Sequence, residues 1–182
     1  MQESTKNEVY SWIKTLVFAL IIAFLCRSFL FSPSTVYGES MSPTFQDKDR
    51  VLISKISEIN RFDMVVFHAP DANEQYIKRV IGVPGDTVEM KDDVLYINGK
   101  EVEEPYLEAN KESILLDKFT GDFTLNEVTD QSKVPEGMFF VLGDNRLASK
   151  DSRIFGFVPA ESVIGEVKFQ LYPLSEIGLT NS

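Results

Sequence analysis

Apolar residues follow two regimes along this chain. From Leu16 to Cys26 they run without a polar break, inside a longer segment, residues 12–31, that carries Lys14 and Arg27 near its ends. Trp12 and Phe29 to Phe31 flank the run. A bilayer-spanning helix needs about 20 apolar residues. Basic side chains at the ends of a shorter run can reach the headgroups, and aromatic ones suit the interface. No small-x-small pattern follows Arg27, so the run is expected to remain as a single-pass anchor rather than a removed leader. It shows no polar face, which disfavours a helix half-buried in a soluble domain.

Beyond residue 31 the apolar positions come in short runs, at 50–55, 62–68, 75–83, 87–90, 94–97, 138–142, 155–158 and 163–172. Several are rich in β-branched and aromatic residues and closed by turn residues, the pattern of strands. Pro84-Gly85 predicts a type II turn. Asn98-Gly99 is the strongest hairpin signal, with the return strand at 100–103. Residues 105–133 are polar and acidic and are expected to form an excursion on the surface. The predicted fold is mainly β: an antiparallel β-barrel or folded sheet over residues 32–182, behind one N-terminal transmembrane helix within residues 1–31.

Charge and composition narrow the function. The 182 residues carry a net charge of −10. Residues 1–31 hold Lys6, Lys14 and Arg27 against Glu3 and Glu8, a net +1, which leaves −11 on the remainder. An acidic domain is a poor match for a nucleic-acid partner. One cysteine and one histidine allow no disulfide within the chain and no cysteine-based metal site, so no cofactor or metal is expected. Lys6 and Lys14 favour a cytoplasmic N-terminus, and Arg27 argues against it.

Candidate chemistry begins at Ser40, two residues after Gly38 and three before Pro43. Such a turn presents a hydroxyl, but turns of this composition are also common in ordinary loops. A serine nucleophile needs a base. His68 lies on a predicted strand with no acid placed to complete a triad. Lys78 is the better choice. Strand alternation puts Tyr76, Lys78 and Val80 on one face and Ile77, Arg79 and Ile81 on the other. A solvated lysine titrates near ~10.4, and burial lowers that by ~3–5 units when complete. The alternative is a lysine that snorkels to water. The run Leu142 to Arg153 mixes acids, bases and hydroxyls, and Asp144 and Asp151 can pair there with arginines.

Four blocks complete the pattern: Gly38 to Thr44; Asp49-Arg50-Val51; Tyr76 to Asp86; and Gly143-Asp144-Asn145-Arg146 with Ser149, Asp151-Ser152-Arg153 and Gly156 to Pro159. In these blocks the chain resembles type I signal peptidases of the Gram-positive bacterial kind, and with the anchor the resemblance spans nearly the whole sequence. The resemblance implies a membrane-bound serine endopeptidase that removes N-terminal signal peptides from secretory preproteins, cutting after small residues in an Ala-x-Ala-like pattern. It implies Ser40 as nucleophile, Lys78 as general base, and Ser149 in contact with that base. Asp144 would pair with Arg79 and Asp151 with Arg153. Val36, Met41, Phe45, Tyr76 and Ile77 would line the substrate pockets. The oxyanion would rest on the Ser40 N–H and on Gly38, which stands where some relatives carry a hydroxyl. The catalytic domain, residues 32–182, would lie outside the cytoplasmic membrane with an apolar face against lipid. Two other readings share part of this pattern: a self-cleaving Ser-Lys repressor, and a non-catalytic membrane-anchored β binding module.

Overall fold

The computed structural model describes residues 2–112 and 118–180. Helix α1 (Gln2–Leu25) runs through the apolar segment and continues into a five-residue π turn, Cys26–Leu30. Its stretch Glu8–Leu30 contains an 18-residue window of mean hydropathy 2.1 that is not buried inside the rest of the protein. The 23 residues of that stretch span about 35 Å at ~1.5 Å per residue, long enough to cross a membrane. Trp12 and Phe24 stand open along it, an arrangement suited to lipid rather than water.

The chain leaves the helix directly into β1 (Phe31–Thr35). Then follow β2 (Arg50–Ser54), β3 (Met64–His68), β4 (Gln75–Gly82), β5 (Val88–Lys91), β6 (Val94–Ile97) and β7 (Lys100–Val102). After helix α2 (Glu108–Glu112) come β8 (Phe123–Thr124), α3 (Leu125–Thr129) and β9 (Met138–Leu142). Helix α4 (Ser152–Phe155), β10 (Val158–Pro159), β11 (Val163–Tyr172) and β12 (Gly178–Leu179) end the chain. Among the described residues the strands make two antiparallel sheets. The larger has the order β1-β2-β11-β3-β4-β9-β10, with β12 beside β11; the smaller has the order β7-β6-β5-β8. The larger sheet is open between β1 and β10, so the folded-sheet alternative is correct and a closed barrel is not.

Strand β4 organises the interior because each of its faces is buried. Ile77 enters the cluster of Val36, Met41, Phe45, Val51, Ile53, Met64, Val66 and Val167. Val80 joins Val65, Phe67, Phe139, Val141 and Val158. Ile81 joins the cluster that cements the two sheets, with Val88, Met90, Leu95, Ile97, Phe123, Leu125, Phe140 and Leu142. A central strand with both faces covered reads as a nearly continuous apolar run, as 75–83 does apart from its two basic residues.

Three expectations need correction. The strand expected at 155–158 starts only at Val158, because Asp151 caps Arg153 N–H and nucleates the single turn of α4, which Gly156 ends at φ +82°. The strand expected from residue 62 starts at Met64, because Phe62 takes φ +72° and the Asp63 carboxylate accepts the Asn60 N–H. The 105–133 stretch is more than a surface excursion. Leu107, Phe119, Phe123 and Leu125 are buried, β8 pairs with β5, and a Thr124–Glu127 capping box starts α3. These apolar residues are isolated between acids, so no periodicity marks them; residues 113–117 lie outside the described part. At the hairpin, Asn98 and Gly99 both take positive φ, at 54° and 73°, the requirement of a type I′ turn.

Asp86 ties this smaller sheet to the larger one. It accepts from Arg61 Nη2 at 2.7 Å, Val83 N–H at 2.9 Å and Asn98 Nδ2 at 2.7 Å. Burial pushes its carboxyl up, but these donors together hold it below the usual value. The folded value lies below the unfolded one, so the stability it confers is full above the ordinary carboxylate range and is lost as pH falls through the folded value. Asp86→Ala is expected to destabilise the domain by about 1–3 kcal/mol at neutral pH, because it strands three donors. Thermal melts at pH 7 and pH 3 check this: the gap between variant and wild type should narrow at pH 3.

Candidate active site

Ser40 sits on a turn that the core pins in place. Met41 and Phe45, at 0% and 1% exposure, anchor the turn from below. Phe45 N–H donates to Met41 O, Ser42 N–H to Glu39 O, and Gly38 N–H to Asp47 Oδ1 at 3.0 Å. Gly38 takes φ +80°, which a side chain would resist. The carbonyl of Ser40 accepts from Asn145 N–H at 3.0 Å, and that of Glu39 from Asn145 Nδ2 at 3.1 Å.

Lys78 reaches the same place from β4. Its Nζ lies 2.7 Å from Ser40 Oγ, donates to Ile77 O at 2.9 Å, and stands 5.3 Å from the centre of the Tyr76 ring. The residue is 3% exposed. Burial lowers its pKa to about 8, against the opposing pull of Asp151 and Asp144. A shift of that size costs about 3 kcal/mol at ~1.36 per unit, a large share of a domain's stability.

The opposite face of the strand carries the counterweight. Arg79 donates to Asp144 through Nε at 2.9 Å and Nη2 at 2.7 Å, and to Phe62 O through Nη1. Both partners are sealed from water, at 1% and 0% side-chain exposure. The Arg79 guanidinium lies 3.9 Å from the Tyr106 ring centre. Asp144 also accepts from Thr44 Oγ1, which couples the pair to the turn carrying Ser40. Asp151 accepts from Arg153 Nε and Nη2, each at 2.8 Å, and from Gly143 N–H at 3.0 Å. A Cβ at Gly143 would overlap Ser149 Oγ and the Ser40 carbonyl, so only glycine permits this approach.

Ser40 and Lys78 meet, and the Arg79–Asp144 and Arg153–Asp151 pairs form as expected. Ser149 departs from expectation. It sits beside Gly143, but its Oγ is buried without a hydrogen-bond partner and makes none to Lys78, whose amine is engaged by Ser40 Oγ and Ile77 O. A cleft of about 1480 Å³ opens over the pair, lined by Val36, Tyr76 and Ile77 among others. Met41 and Phe45 do not line it; they lie beneath its floor in the core, because the turn buries them. His68 is exposed on the cleft wall and makes no hydrogen bond to Ser40. Sequence reasoning gave no role to Thr44, or to Glu104 and Tyr106. Arg146 is fully buried against the Glu104 carboxylate, and Tyr106 donates to Glu104 as well. The acidic run around 101–108 masked that pairing.

A hydroxyl beside an amine of lowered pKa, at the foot of an extended cleft, makes the parts of a serine hydrolase that works without histidine. Comparison with known proteins narrows the class. Residues 9–172 match the family model "Signal peptidase, peptidase S26". The signal peptidase I of Bacillus caldolyticus is 45% identical, with 96% of each chain covered. Signal peptidase IB of Staphylococcus aureus (strain COL) is 42% identical over 94% of this chain and 93% of its own. A crystal structure of a signal peptidase I from Enterococcus faecalis V583 superposes with a TM-score of 0.59 at 49% identity, over 61% of this chain and 97% of that one. The chain belongs to the signal peptidase family, peptidase S26.

The buried Arg79–Asp144 pair yields a direct prediction. Asp144→Ala leaves a guanidinium uncompensated and is expected to cost about 3–5 kcal/mol. A thermal or denaturant melt of the purified variant reads this as a large fall in midpoint.

Proposed function

We propose that this membrane-anchored signal peptidase removes signal peptides from secretory preproteins with Ser40 as nucleophile and Lys78 as general base. The observation that carries the reading is the 2.7 Å separation of Lys78 Nζ and Ser40 Oγ, in a burial that brings the amine to about 8. At pH 7 about one tenth of such an amine is neutral, enough for a base.

In the acylation step neutral Lys78 takes the Ser40 proton while Oγ bonds to the scissile carbonyl carbon. The tetrahedral oxygen carries the negative charge. The Ser40 N–H donates to no group among the described residues and is the available oxyanion donor. The Gly38 N–H is taken by Asp47, so Gly38 serves through its backbone angle and the open space above it rather than as a donor. One such donor is worth roughly 2.7–4 kcal/mol. The C–N bond then breaks, and Lys78 returns its proton to the leaving amine. Water attacks the acyl ester, giving its proton to Lys78; the ester C–O bond breaks and Ser40 Oγ is reprotonated.

Substrate choice follows from the walls. Val36 and Ile77 line the cleft yet belong to a packed core, so they cannot recede for a large side chain. This supports cleavage after small residues in an Ala-x-Ala-like pattern. Asp144, Asp151, Arg79 and Arg153 act as structural support for the base, and Ser149 as a neighbouring hydroxyl that could turn toward it when substrate enters. The same reading gives residues 32–182 as the catalytic domain, outside the cytoplasmic membrane, with the N-terminus cytoplasmic. Tyr172 and Leu174 line the cleft and are exposed, as is Leu179 nearby on β12, and they suit contact with lipid.

Two outcomes test the base. The kcat/KM for preprotein cleavage should rise with pH to a plateau above about 8, falling about 100-fold from plateau to pH 6. Lys78→Arg should be silent at every pH, since a guanidinium stays protonated; substantial cleavage by this variant would sink the assignment. A third outcome reads the cost of the site. The folded Lys78 value lies below the unfolded one, so its penalty is full below pH 8 and disappears as pH rises toward 10.5. Lys78→Met should therefore be inactive yet more stable at pH 7, by about 1–3 kcal/mol, in thermal melts.

A further inference from the structure

The turn carrying Ser40 and the 143–146 loop come from distant parts of the chain, and Asp144 of that loop holds Arg79, the neighbour of Lys78 on β4. Asn145 and Thr44 stitch them directly. A further link comes from neither segment. Asn110, on α2, donates from Nδ2 to Ser42 O at 2.8 Å and to Asp144 O at 3.1 Å. Both acceptors are main-chain carbonyls, and the two N–H bonds of the one carboxamide nitrogen serve them together. The arm that presents this amide is firmly seated. Glu104 pairs with buried Arg146, Tyr106 covers the Arg79 guanidinium, and Leu107 is 0% exposed.

We propose that Asn110 is a positioning residue for the reaction, clamping Ser42, two residues after the nucleophile, to Asp144, the carboxylate that holds Arg79 beside Lys78. It touches neither reacting atom and acts through the two carbonyls. Through this one amide the arm beside the smaller sheet reaches the site. The inference rests on the reading of Ser40 and Lys78 as the reacting pair. Misplacement of a reacting group by ~1 Å costs about 100-fold in rate, so a clamp across this seam acts on kcat rather than on substrate affinity.

The test uses the full chain in detergent, with a secretory preprotein as substrate, and compares Asn110→Ala, Asn110→Asp, Glu108→Ala and Ser40→Ala with wild type. Asn110→Asp keeps the shape but sets a carboxylate oxygen against two carbonyl oxygens. Asn110→Ala should lower kcat about tenfold and Asn110→Asp about 100-fold. KM should stay within about twofold in both, which separates positioning from binding. Glu108→Ala, at an exposed position on the same short helix, should match wild type. A purely space-filling role would leave Asn110→Asp as active as wild type, and that result overturns the inference. So does a loss that appears in KM alone. Should Asn110→Ala fail to fold, the isosteric Asp variant decides, read beside its melting temperature. A silent Ser40→Ala with a fully active Asn110→Asp removes only the role of Asn110; an active Ser40→Ala removes the dyad itself.

Discussion

An amine kept out of water beside a hydroxyl is the constraint on which the rest of this structure depends. Left solvated, Lys78 would hold its proton at neutral pH and could accept none from a neighbouring hydroxyl. Its burial is opposed by two carboxylates, Asp151 and Asp144, each of which favours the charged form. The fold answers by giving both acids closer partners: Arg79 lies against Asp144 and Arg153 against Asp151. The acids thus lend rigidity to the loop without recharging the lysine completely. Alternation along β4 makes this possible, since it sends adjacent basic residues to opposite sides, one to the cleft and one to the ion pair.

The scaffold follows from that need. A central strand buried on both faces can exclude water from Lys78, and three apolar clusters meet at β4 to do so. The turn carrying Ser40 is fixed by Met41 and Phe45 from within the core and by Asn145 from above. The chain passes from the apolar helix straight into β1, and β1 leads to the turn carrying Ser40. The cleft is therefore tied to the bilayer by a short path. A substrate that is itself held by an apolar segment in the same membrane would meet this cleft in two dimensions rather than three.

Much of this was legible in the sequence where local signals were strong. The apolar run gave α1, Asn98-Gly99 gave the hairpin, and the strands at 94–97, 138–142 and 163–172 fall where predicted. The pairing of Ser40 with Lys78 came from the resemblance and from strand alternation, and it is seen as a short contact. What failed did so for physical reasons. Met41 and Phe45 read as pocket residues because they lie close to Ser40, yet a tight turn sends them inward. Ser149 was expected on Lys78, but its buried Oγ makes no hydrogen bond to that amine. Glu104, Tyr106 and Asn110 were invisible, since their roles are long-range pairings within a segment whose acids and lone apolar residues resemble surface chain. Non-local polar contacts leave no periodic trace.

The central claim is that Lys78 is a base because burial lowers its pKa. The most direct measurement is a titration of the Lys78 side chain in the folded, detergent-solubilised protein, by NMR of selectively labelled lysine with Lys78→Met to assign the signal. A midpoint near 8 for this one lysine is the predicted result. A midpoint for Lys78 at about 10 or higher would mean that the amine stays protonated at working pH, and the account of the site would be wrong.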